Sequence, residues 1–194
     1  MLKAIKHNLT HLFSFTGRDS RTTFWLYVLF LALVHTAISL LVSVPITGNM
    51  MGDILVAAQR GASEAEIQER VFQRVNEVMR VSLWVSVALS LALVAFLLAA
   101  FTRRLHDSGR SAWIAVVAGA IQVVATVMTI ATMDDAIRVI VLAQTGDLEA
   151  VEAMRGRFVL QGLLGWVPMV LVFVFGVWPS TPGENRYGAP PTID

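Results

Sequence analysis

RRLHDSGRSAW, residues 103–113, places four charged residues and a histidine between two uncharged apolar runs, residues 83–101 and 114–133. A bilayer core about 30 Å thick takes about 20 helical residues to cross. Four stretches reach that length without an Asp, Glu, Lys or Arg: residues 24–46, 81–101, 114–133 and 158–177. The first is too long and too far into the chain for a cleaved signal sequence. The sequence therefore predicts an all-α membrane protein. The expected architecture is a four-transmembrane-helix bundle in a single integral membrane domain, residues 1–194, with amphipathic interfacial and extramembrane helices.

Composition points the same way. Charged residues make up 15% of the chain, against about 25% in a soluble domain. The net charge of +1 gives no basic footprint for nucleic acid, and no nucleic-acid-binding motif occurs. The absence of Cys removes disulfides and thiolate metal sites.

Four spans put both termini on one side. That side carries eight Lys and Arg against seven on the other, which does not orient the chain. Acids divide four (Asp19, Asp107, Glu184, Asp194) against ten, which favours cytoplasmic termini. Leu2, Ile5, Leu9 and Leu12 form one helical face, so a short interfacial helix is expected before the first span. In the outer loop, Ser63 and Glu66 fit a capping box, and Glu66 and Arg70 are spaced to pair. That helix has no break before the second span and is expected to run into it. Asp134 and Asp147 read as caps of two further helical pieces separated by Gly146. The tail, with Pro179 and Pro182, cannot continue a helix and reads as an extended hook returning to the inner surface. The short match between residues 17–25 and 109–113 suggests two hairpin units in parallel.

Three motifs combine at one end: FTGRDSRTTFW (15–25), RRLHDSGRSAW (103–113) and PGENRYGAPP (182–191). Together they resemble the small bacterial inner-membrane family catalogued as domain of unknown function 805. The resemblance covers nearly the whole chain and implies a multi-helix protein of the bacterial cytoplasmic membrane. It implies no activity. Ala112 departs from a Gly common in the family, and the outer loops are longer.

The motifs carry six arginines, Arg18, Arg21, Arg103, Arg104, Arg110 and Arg186, against three acids. Ser20 and Ser111 stand where helices begin. Arginine forks beside helix N-termini suit phosphate or carboxylate, so these eight residues read as an anion or phospholipid-headgroup site. His106, Asp107, Asn185 and Tyr187 read as a structural lock, with Asp107 pairing Arg104 or Arg110. The alternative for the arginines is a plain topology anchor. His35, in mid-span, has Gln122 and Gln161 as candidate hydrogen-bond partners. The leading function is a non-enzymatic scaffold or binding protein whose partners are membrane lipids, anionic ones above all, with a second copy or another membrane protein as further partners. A small transporter or channel using His35 is the alternative. A metal enzyme built on His106 and Asp107 comes third, because His7 and His11 are not brought to His106 by any pattern. No catalytic residue, resident metal or cofactor is assigned.

Overall fold

The computed structural model describes residues 1–191; Asp194, counted above among the inner acids, lies outside them. Among the described residues the chain is all-helical, with six helices: α1 Leu2–Thr10, α2 Arg21–Gln59, α3 Glu64–Asp107, α4 Trp113–Ala131, α5 Met133–Thr145 and α6 Leu148–Val177. Four of them, α2, α3, α4 and α6, are long and apolar enough to cross a membrane. The solvent-facing residues of these helices are large hydrophobics such as Leu33, Leu41, Val127, Leu163 and Phe173. A water-soluble bundle would turn that surface inward. The outward apolar faces fit hydrocarbon and make this a multi-pass helical membrane protein.

The helix ends follow local chemistry. Ser20 caps α2 by accepting the Thr23 amide. Ser63 and Glu66 form a complete capping box on α3, and Asp147 caps α6 through the Ala150 amide. Gly146, at φ 78°, closes α5, a conformation that suits glycine. α3 runs unbroken through 44 residues, about 66 Å at 1.5 Å per residue. It crosses the apolar layer and projects well beyond it. α2 extends past its predicted span to Gln59; Pro45 removes one amide donor inside it without ending it.

Several local expectations are corrected. α4 opens with Ala112 at the N-cap and no side-chain cap. Ser111 accepts the Trp113 amide at 3.3 Å, while Ile114 and Ala115 donate three residues back and tighten the first turn. Asp134 sits inside the first turn of α5 and pairs with Arg80 at 2.8 Å. The Glu66 carboxylate turns back to the Ser63 amide at 2.9 Å instead of pairing with Arg70. The short helix expected before the first span is present as α1; its buried residues are Ala4 and Asn8, and Leu2 and Leu9 are exposed.

The apolar core sits near the charged end. Phe24, Tyr27 and Leu31 of α2 pack on Ala100, Phe101 and Leu105 of α3 and on Ala115 and Ala118 of α4. α6 joins them through Gly176, which leaves no room for a Cβ: that atom would lie 2.9 Å from both Phe24 and Trp25.

Candidate functional site: a buried arginine clamp

The C-terminal end of α3 has carbonyls that no further turn can satisfy, and they draw in both distant motifs. Gly109, in the left-handed region at φ 69°, ends the helix. The Arg110 amide then bonds the Leu105 carbonyl at 2.8 Å and the Gly109 amide bonds the His106 carbonyl at 3.0 Å, the paired closure of a Schellman motif. The Arg103 carbonyl takes the Asp19 amide at 3.2 Å and the Asp107 carbonyl takes the Thr181 amide at 2.8 Å. The His106 carbonyl takes the Asn185 side chain at 3.0 Å. The loop before α2 and the tail after α6 are therefore both bound to the end of α3.

Side chains complete the junction. Asp107, 0% exposed, accepts at Oδ1 from Arg18 Nε at 3.1 Å and Nη2 at 3.0 Å. Its Oδ2 accepts from Arg104 Nη1 at 2.6 Å and from Ser180 Oγ at 2.5 Å. Arg18 places its remaining donors on the carbonyls of Thr181, Gly183 and Gly188. Arg104 donates to the Gly176 carbonyl at 3.0 Å and to the Trp178 carbonyl. Arg103 pairs with Asp19 at 2.9 Å and donates to the Asn8 side chain and to the carbonyls of His11 and Ser14. His7 bonds the other oxygen of Asp19 at 3.0 Å.

Arg18, Arg103, Arg104, Asp19 and Asp107 are all buried: three cations and two anions away from water. Desolvation costs several kcal/mol per ion in roughly this setting unless every donor finds an acceptor. Backbone carbonyls supply what the two carboxylates cannot. Burial lowers the Arg104 pKa from its ordinary value, Asp107 opposes that shift, and nearby Arg21 adds to it. The guanidinium keeps its charge.

The other three arginines are placed differently. Arg21, Arg110 and Arg186 are exposed. Arg110 lies over the Trp178 ring at 4.7 Å and Arg186 over the Tyr187 ring at 4.7 Å. Tyr187 stacks on His106 with centroids 3.8 Å apart and planes 9° from parallel, and His106 also meets the Gly17 carbonyl at 3.2 Å. Burial lowers the His106 pKa, against the Gly17 contact, and Arg186 lowers it further. No group of three or more metal-ligating residues occurs among the described residues. His7, Asn8, Ser180 and Thr181 belong to the junction and were missed in the sequence. Asn8 carried the one available signal, a polar residue four after Ala4 on a short helix.

The intramembrane polar residues divide in two. Gln122 donates to Ser90 at 2.7 Å, tying α4 to α3. Gln161 donates to Thr129 and accepts from Thr132, both at 3.0 Å, tying α6 to α4. His35 joins neither; its Nδ1 is buried without a hydrogen-bond partner. The expectation that Gln122 or Gln161 partners His35 is corrected: threonines and a serine claim both amides first.

The fold and this junction define a class: multi-pass helical membrane proteins whose N-terminal loop and C-terminal tail are locked on one charged helix end. Residues 12–189 match the family described as protein of unknown function (DUF805), and the chain belongs to that family. No curated protein and no solved structure matches it.

Proposed function

We propose that the protein is a non-enzymatic, membrane-embedded binding or scaffold protein of the bacterial cytoplasmic membrane. Its charged end faces the cytoplasm and binds anionic phospholipid headgroups. One observation carries this reading: at the end where three arginines are consumed internally, three others stay exposed, and two of them are held by aromatic rings. A guanidinium stacked by its face keeps its N–H edge free, and that edge suits phosphate. Trp178 and Tyr187 also suit the headgroup layer. The exposed Lys3 and Lys6 on α1 add charge to the same end.

Native mass spectrometry of gently extracted protein tests the reading. Wild type is expected to retain phosphatidylglycerol, and Arg110→Gln/Arg186→Gln is expected to lose it while its unfolding midpoint stays unchanged. Equal retention in both proteins overturns the headgroup site. Orientation is tested separately, because a chain without Cys allows clean single-cysteine labelling. Glu149→Cys is expected to react with an impermeant maleimide in intact spheroplasts, and Glu184→Cys only after lysis.

A further inference from the structure

The spans leave an open cleft of about 460 Å³ between α2, α3, α4 and α6. Its wall is mainly hydrocarbon, including Leu93, Leu97, Phe101 and Val172, and His35 stands on it. Volumes of roughly 300–1,000 Å³ with an apolar lining and a few polar groups are typical of small-molecule sites. Neither of the two expected partners reaches His35: Gln122, on the same wall, is bonded to Ser90, and Gln161 to Thr129 and Thr132. The imidazole thus keeps a donor and an acceptor in an apolar layer with one nitrogen, Nδ1, sealed and unmatched. The torsion about its Cβ–Cγ bond is soft, so the ring can turn either nitrogen to an occupant. At the charged end α2 and α6 are sewn together, Trp25 Nε1 donating to the Gly176 carbonyl at 3.2 Å and its ring packing on Phe173. All four helices that line the cleft are membrane-spanning, which favours occupants dissolved in the bilayer.

We propose that this cleft binds a lipophilic molecule carrying one hydrogen-bonding oxygen, which meets the His35 imidazole while its hydrocarbon fills the space between the four spans. A purely hydrocarbon occupant fills the same volume and leaves His35 unmatched. Selectivity for the oxygen-bearing compound is the signature of the site. It is independent of the headgroup reading, which concerns the opposite chemistry at the membrane surface.

The test uses the full chain in nanodiscs with two photoreactive probes: a sixteen-carbon alcohol carrying a diazirine in its chain, and the matching alkane diazirine. Cross-links are mapped by mass spectrometry. Labelling by the alcohol is expected to concentrate on Leu93, Leu97 and Val172, and unlabelled hexadecanol is expected to compete about three- to tenfold better than hexadecane, the ratio one net hydrogen bond gives. In His35→Leu that ratio is expected to fall to about one. Labelling spread evenly over the outer faces, or equal competition by both compounds in wild type, overturns the proposal. The wild-type competition decides the matter even if the variant does not fold.

Discussion

Replacing Asp107 by asparagine changes one atom and removes the charge shared by Arg18 and Arg104. The carboxylate accepts four hydrogen bonds, two on each oxygen. Asparagine accepts at one oxygen and presents N–H donors at the other position, so either Arg18 or the Arg104–Ser180 pair faces a donor. The cluster passes from three cations against two anions to three against one. Removing one partner of a buried pair costs about 3–5 kcal/mol, a large share of the roughly 5–15 kcal/mol that holds a typical domain folded. Unfolding in mixed micelles, followed through the five tryptophans as the denaturing detergent fraction rises, measures the loss. Trypsin cleavage after Arg186 reports release of the tail in the same samples. Arg110→Gln is the control and is expected to stay within about 0.5 kcal/mol, as exposed substitutions do. A loss below about 1 kcal/mol for Asp107→Asn, with tail cleavage unchanged, would refute the reasoning that this carboxylate holds the junction together.

Other consequences are open to measurement. The His106 pKa is lowered by burial, so the unfolded chain takes up that proton first as pH falls; stability is full above about 6.5, the ordinary histidine value, and declines on acidification until the folded pKa is passed. A histidine NMR titration is expected to place His106 below that value, and Arg186→Gln to move it upward. Gly176→Ala forces a methyl against Phe24 and Trp25 and is expected to cost about 1–3 kcal/mol, with a change in Trp fluorescence; an unchanged unfolding curve counts against tight α2–α6 contact. Ser63→Ala breaks the capping box on α3 and is expected to cost about 0.5–2 kcal/mol, seen as faster amide exchange at residues 64–67 with the charged end unaffected.

The apolar spans, the Ser20, Ser63–Glu66 and Asp147 caps and the Gly146 break were legible because each depends on neighbouring residues. The continuity of α3 was legible from the lack of any breaker before Val81. The clamp was legible in its members and not in its direction. Six arginines against three acids read as a surplus facing outward, yet Arg18, Arg103 and Arg104 are turned inward. Their extra acceptors are the carbonyls of His11, Ser14, Gly176, Trp178, Thr181, Gly183 and Gly188. A carbonyl exists at every residue and leaves no mark in a sequence. The expected Ser111 and Asp134 caps are each displaced from the observed helix start, by one residue at Ala112 and by two at Thr132.

The tail that closes the clamp has a consequence for synthesis. Arg18 bonds a carbonyl 170 residues later in the chain. At about 5–20 residues per second, the ribosome delivers that partner roughly 10–30 s after Arg18 itself. All four spans are translated before Gly188 exists, so the Arg18 contacts to the tail cannot form until the chain has been made that far. Sealing through Arg18 waits for the carbonyls of Gly183 and Gly188. A chain stopped after α6 carries every span and still exposes the ions meant for burial, which distinguishes an unfinished molecule from a complete one at the membrane surface.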